Sequence, residues 1–182
     1  TYGIKPDILT CAKQLSSSYM PIGAVLITNT IYDAFVENSA KLGTFGTGNT
    51  FGGHPVAAAV ALETLKIYED DDIIGHVQRV APLFQKRLEA LADHPLVGEA
   101  RGVGLIGGVE LVANKSTKEQ FPVAMKVAPT AVEKILGQKL ILRPLPGDGI
   151  AVCPPLIITE EEIDDMFDRI TTGLDEMKSI LG

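Results

Sequence analysis

Lys13 is the first residue whose position suggests chemistry. It follows the apolar run Ile8-Leu9-Thr10-Cys11-Ala12 and precedes a serine-rich stretch that begins at Gln14. At the end of a buried strand its amine would lose hydration and be free for Schiff-base chemistry. Position alone leaves a second reading open, a lysine whose stem lies on apolar surface with its head in water. A glycine-rich loop follows, with Gly43, Gly46, Gly48, Gly52 and Gly53, and it runs through Asn49, Thr50 and His54 to Pro55. Free backbone N–H groups before a helix, with the Thr50 hydroxyl added, make a phosphate cradle or an ordinary interdomain loop. His54 reads as a turn-fixing residue, because no second ligand lies at metal-binding spacing. Arg143 stands beside a Pro-Gly turn, where a guanidinium would clamp a carboxylate or remain solvated. Ser16, Ser17 and Ser18 lack the Gly-x-Ser-x-Gly surround of a hydrolase elbow, and Cys11 has no basic partner that would activate it. Neither a dinucleotide fingerprint nor a Walker loop is present.

Strands and helices must position these residues. Ile8–Ala12 and Ile22–Ile27 read as strands, the first of them buried, and Ile31–Asn38 as a short helix. Pro55 opens a helix that is apolar nearly all round, which predicts burial. Asp70-Asp71-Asp72 interrupts it, and a domain boundary is placed near this acidic break. Ile73, Val77, Val80, Phe84, Leu88 and Leu91 then recur at helical steps. Val97–Val112 reads as strands bent at Gly102, Gly104 and Gly107-Gly108, Pro129–Leu136 as a helix stopped by Gly137, and Leu140–Arg143 as a short strand. Pro146-Gly147-Asp148-Gly149 turns the chain into a return strand, Ile150–Val152. Thr159 and Glu162 form a capping box, followed by an apolar stripe from Ile163 to Met177 that reads as core.

Composition bounds the function. The 182 residues carry 16 basic and 23 acidic side chains, so 16 − 23 gives a net charge of −7, and 46% are hydrophobic. That mixture makes a globular core and excludes a disordered chain. An acidic chain lacks the basic face that nucleic acid or an anionic membrane requires. Two cysteines, Cys11 and Cys153, make no disulfide framework and no zinc pair, so a reduced cytoplasmic setting is expected, with no metal. No apolar run is long enough to span a membrane and no secretion signal is present. The chain opens at Thr1 on residues that read as the middle of a fold, so a fragment or processed product is expected.

Four blocks together resemble the class III (ω-type) aminotransferases. Lys5-Pro6-Asp7-Ile8-Leu9-Thr10-Cys11-Ala12-Lys13, continuing to Tyr19-Met20-Pro21-Ile22-Gly23-Ala24-Val25, is similar to the segment around the family's cofactor lysine. Gly48-Asn49-Thr50-Phe51-Gly52-Gly53-His54-Pro55 is similar to its second phosphate-binding segment. Arg101-Gly102-Val103-Gly104-Leu105 and Cys153-Pro154-Pro155-Leu156-Ile157-Ile158-Thr159 match the C-terminal domain. The resemblance implies a fold-type-I α/β architecture that uses pyridoxal 5'-phosphate. Residues 1–76 would be the C-terminal part of the large mixed-sheet cofactor domain, and 77–182 a small α+β C-terminal domain. On this resemblance Lys13 forms the internal aldimine and later moves the proton, while the cofactor ring is the electron sink. Thr50, with the backbone N–H groups of Asn49 and Thr50, would hold the phosphate in the neighbouring subunit's site, which implies a homodimer with shared active sites. The remaining cofactor contacts would lie in a longer chain, without which these residues alone would be inactive.

The resemblance also bears on the acceptor. Relatives acting on ornithine or 4-aminobutyrate carry an arginine three residues before the Pro-Pro pair, where this chain has Ala151. Arg143 instead matches the mobile arginine of the amine:pyruvate branch, which pairs with the acceptor's carboxylate and swings away for an apolar amine. The expected function is transfer of an amino group from an amine or ω-amino donor to pyruvate or a similar keto acid. Alternatives that keep the same motifs are an aminomutase, a decarboxylating transaminase, or an inactive fragment that only dimerises.

Overall fold

The computed structural model describes residues 3–182; Thr1 and Tyr2, part of the expected opening loop, lie outside the described residues. The chain divides into two compact units, Thr1–Asp72 and Ile73–Gly182. The division falls four residues before the expected 76/77 boundary. A new helix begins at Ile73, so the whole helix goes with the second unit.

In the first unit β1 (Ile8–Ala12) pairs antiparallel with β2 (Gly23–Ile27), with Ile8 opposite Ile27 and Ala12 opposite Gly23. Helix α1 spans Asn29–Leu42 and outruns the expected Ile31–Asn38 at both ends. It stops only at Gly43, whose φ of 72° gives the left-handed C-terminal cap. Helix α2 (Pro55–Asp70) starts at the expected proline. The expected burial of β1 and α2 is not found. Ile8 and Leu9 are half exposed, and Val56, Leu62, Leu65 and Ile67 of α2 are exposed. Only Ala57, Ala61 and Thr64 of that helix are buried. Two strands and two helices are too few layers to cover both faces of each element, whatever their sequence pattern asks for.

The second unit carries the core. Its sheet runs β3-β4-β6-β5, antiparallel throughout, with β3 Val97–Val103, β4 Ile106–Leu111, β5 Arg143–Leu145 and β6 Gly149–Val152. Helices α3 (Ile73–Ala90), α4 (Val127–Gly137) and α5 (Glu160–Leu181) supply most of the rest of the core, joined by Leu91, Leu96, Leu105 and Ile158 of the connections. Val109, Leu111, Ile150 and Val152 of the sheet are buried, as are Phe84, Leu88, Ile135 and Phe167 of the helices. Phe84 meets Phe167 edge-on at 5.3 Å between ring centroids. Of the expected glycine bends only Gly104, at φ 59°, lies between the two strands. Gly107 is needed for packing instead, since a Cβ there would sit 2.9 Å from the Leu88 side chain. Helix α4 begins at Val127, two residues before Pro129, which a first helical turn accommodates because its N–H groups are unpaired in any case. The expected strand Leu140–Arg143 is displaced to Arg143–Leu145. Pro144 lacks an N–H and is tolerated because β5 is an edge strand, while Leu140 and Leu142 pack against the core outside the ladder. The capping box of α5 forms as expected: the Thr159 N–H donates to Glu162 Oε2 at 2.8 Å, and the Glu162 N–H to Thr159 Oγ1 at 3.2 Å.

His94 links three parts of this unit. Its Nδ1 accepts from the Leu96 N–H at 3.2 Å, so the neutral ring carries its proton on Nε2, which lies 3.4 Å from Asp175 Oδ1. Burial lowers its pKa below the usual value, the Asp175 carboxylate opposes that, and Lys178 and Lys115 add to it. The unfolded chain therefore binds more protons than the folded one at mildly acid pH. The stability His94 contributes is fully present above its unfolded pKa of about 6.5 and is lost as pH falls from there through the lower folded value. Denaturant unfolding at a series of pH values should show this loss, and His94→Gln should flatten it. Parallel slopes for the two proteins would remove His94 as the cause.

Candidate active site

The strand pair of the first unit presents Lys13. The lysine directly follows β1 and adopts φ 60°, ψ −84°, a conformation that a non-glycine residue rarely holds. The following 3-10 turn, Gln14–Ser16, clamps it. The Lys13 carbonyl accepts from the N–H groups of Ser16 at 3.2 Å and Ser18 at 3.1 Å. Ser16 is buried and its Oγ donates to the Met20 carbonyl at 2.6 Å, while the Tyr68 hydroxyl of α2 donates to the Gln14 carbonyl at 3.4 Å. The side chain of Lys13 is exposed, so the described residues do not supply the desolvation expected from its position. Its backbone is distinctive in ψ: several residues share a positive φ, but ψ −84° takes Lys13 outside the left-handed region that Ser17 and Lys126 occupy. Strain at a non-glycine residue costs of order 1–3 kcal/mol and persists where the surroundings impose it, often at functional sites.

Asn49 and Thr50 are exposed in the loop that leads to α2. The Asn49 carbonyl accepts from the Gly52 N–H at 2.9 Å, which closes a tight turn over Asn49–Gly52. Gly52 permits this turn, since a Cβ there would stand 3.1 Å from the Asn49 carbonyl oxygen. His54 occupies the N-cap position of α2, with its N–H on the Phe51 carbonyl at 3.2 Å and its ring 6.2 Å from the Phe51 ring. That is the turn-fixing part expected of it. No group of three or more potential metal-binding side chains exists among the described residues. Cys11 and Cys153 are both free thiols. Lys13 and the Asn49–Thr50 pair thus sit on separate loops of the first unit, and Arg143 belongs to the second.

Arg143 opens β5, directly opposite Ala151 of β6. Ile150 and Val152 point into the core, so alternation places Ala151 on the other face of the sheet. A residue directly opposite shares that face, so Arg143 projects from it too and is exposed. Both residues line a groove of about 920 Å³, walled by Lys139–Arg143, the loop Cys153–Thr159 and the α5 side chains Glu162, Asp165, Met166 and Arg169. Along that loop the His76 ring nitrogen Nε2 meets the Ile158 carbonyl at 2.9 Å. An exposed guanidinium opposite an alanine, in a groove that mixes apolar walls with charges of both signs, can receive a carboxylate bidentately. Tyr68 and His76, which with Ser16 hold the two loops, were missed in the sequence, and Ser16 was weighed there only as a hydrolase nucleophile. Their partners are backbone carbonyls, which leave no mark on residue type.

Residues 1–174 match the family model described as aminotransferase class-III. The chain belongs to that family. It is 45% identical over 173 residues to a probable gamma-aminobutyrate transaminase 3, mitochondrial, of Oryza sativa subsp. indica, covering 95% of this chain and 34% of that protein. It is 43% identical over 178 residues to the gamma aminobutyrate transaminase 3, chloroplastic, of Solanum lycopersicum, covering 98% of this chain and 34% of that one. Among solved structures, a transaminase with L-alanine superposes at a TM-score of 0.93 and 47% identity, covering 98% of this chain and 42% of that one. The PMP-bound aminotransferase from Vibrio fluvialis gives 0.93 at 32%, covering 98% and 39%. The chain therefore spans about a third of the length of these curated relatives and about two fifths of the solved chains. The class III family consists of pyridoxal-phosphate enzymes of fold type I, and this α/β chain has that fold. No helix among the described residues is long and apolar enough to cross a membrane.

Proposed function

We propose that the protein to which these residues belong is a transaminase that moves an amino group from an amine or ω-amino acid to pyruvate or a similar keto acid. The observation that carries this reading is the clamped, positive-φ backbone of Lys13 at the end of β1. A primary amine held there fits a covalent anchor for pyridoxal phosphate, and the turn at Asn49 and Thr50 fits its phosphate. When bound, that cofactor supplies an electron sink for carbanion chemistry. The amine of Lys13, once free, would take the proton from the amine-bearing carbon of the donor and, in the second half of the reaction, deliver a proton to the carbonyl carbon of the keto-acid acceptor. Thr50 and the amides of Asn49 and Thr50 bind phosphate oxygens across a homodimer interface, so that each site is shared. Arg143 binds the acceptor's carboxylate, and its edge-strand position leaves it free to turn aside for an apolar amine. The first unit is then the C-terminal part of the large cofactor domain and the second a small C-terminal domain. Free Cys11 and Cys153 support a reducing compartment, of which the cytoplasm is one.

The full-length protein, given an amine and pyruvate, should form alanine. Its visible cofactor absorbance should be bleached by borohydride, leaving a pyridoxyl group on Lys13. A charge-assisted hydrogen bond is worth about 1.5–3 kcal/mol, so Arg143→Ala should raise KM for pyruvate about tenfold or more. KM for a simple aldehyde acceptor should stay unchanged. Equal effects on the two acceptors would reject the role of Arg143, and no alanine from any amine would reject transfer to pyruvate.

A further inference from the structure

The hairpin that carries Arg143 is held by a residue outside the groove. β5 is three residues long, lies at the sheet edge and contains Pro144, so its own ladder is minimal. Gly147 and Asp148, both at positive φ (75° and 55°), form the tip between β5 and β6. Helix α4 begins just after Lys126, which has no side-chain cap of its own. The missing cap comes from the hairpin: Asp148 Oδ1 accepts from the buried Ala128 N–H at 3.1 Å. From the same residue the main-chain carbonyl accepts from the Leu111 N–H of β4 at 2.9 Å. One residue therefore fastens the tip of the Arg143 hairpin to a helix and to the inner sheet. A carboxylate at a helix N-terminus is also favoured by the helix dipole.

We propose that Asp148 is a positioning residue for Arg143, anchoring the β5–β6 hairpin to α4 so that the guanidinium is presented to the carboxylate of a keto-acid acceptor. The inference rests on the acceptor reading of Arg143. Without the anchor, the short edge strand spends part of its time out of register. Apparent affinity for the acceptor then falls in proportion to the fraction of hairpins correctly placed. Chemistry at Lys13 is untouched.

Two substitutions in the full-length holoenzyme separate the anchor from the turn. Asp148→Gly removes the carboxylate but suits a positive φ, so the turn survives. Asp148→Asn keeps an acceptor oxygen and tolerates the same backbone. Asp148→Gly should raise KM for pyruvate about fivefold or more, with kcat and the KM for an aldehyde acceptor within about twofold of the parent. Asp148→Asn should return KM for pyruvate to within about twofold. An unchanged pyruvate KM in Asp148→Gly, an equal rise for both acceptors, or an Asn variant as impaired as the Gly variant would overturn the proposal. Arg143→Ala, measured alongside, separates the two claims. If it leaves pyruvate KM unchanged, the acceptor reading itself has failed; if it raises KM and Asp148→Gly does not, only the anchor has.

Discussion

Lys13→Ala in the full-length protein is expected to lower turnover by about 10³-fold or more, the range in which a positioned proton-transfer group contributes. That factor corresponds to about 4 kcal/mol of lost transition-state stabilisation. The loss should be chemical and not structural. Lys13 makes its turn through backbone groups, with its carbonyl receiving the N–H groups of Ser16 and Ser18, and these survive truncation of the side chain. Its exposed side chain adds nothing to the core. Unfolding curves of variant and parent, both freed of cofactor, should therefore superimpose, while activity with cofactor collapses. A small primary amine added to the assay should restore part of the rate, because it replaces the missing nitrogen without replacing any packing. A variant that kept a tenth of its activity would end the assignment of Lys13, since no other described residue is offered for that proton.

The second large effect concerns stability. Gly173 lies buried where α5 crosses α4, and a Cβ placed on it would stand 2.5 Å from Ile135 Cγ1 and 2.9 Å from the Ile135 backbone nitrogen and Cα. A side-chain methyl can rotate aside, but a helix backbone cannot without separating the two helices. Gly173→Ala gains about 1 kcal/mol from helix propensity. Forcing a methyl group into a filled core costs about 1–3 kcal/mol and occasionally more, and the backbone clash puts this site at the upper end. The net expectation is a loss of about 2 kcal/mol in unfolding free energy. Ile135 is fully buried, so trimming it in the same protein should recover part of that loss. A neutral or stabilising Gly173→Ala would mean that α4 and α5 are not in contact at this point.

Much of the second unit was legible because local pattern and final environment agree there. The stripe from Ile163 to Met177 is buried as read, and Thr159 with Glu162 caps the helix through neighbours three residues apart. Such interactions are written in consecutive residues. The β5 strand was misplaced because Leu140, Ile141 and Leu142 have strand-like types, yet two of them serve the core from outside the ladder. In the first unit the pattern of β1 and α2 asks for burial that the described residues do not provide. Apolarity reports that a surface is to be covered, and says nothing about what covers it.

By itself, the order of residues determined the class III family and the helix starts at Pro55 and Thr159, and through the family's motifs it pointed to Lys13, Asn49, Thr50 and Arg143. Only the tertiary structure decided that Arg143 stands opposite Ala151, on the side of the sheet away from the core. The same holds for the strained backbone of Lys13, and for Asp148 capping a helix whose first residue lies 21 positions earlier. The physical reason is range. Caps, turns and amphipathic stripes act between residues a few positions apart, whereas strand register and backbone clamps join residues that sequence separates and folding brings together.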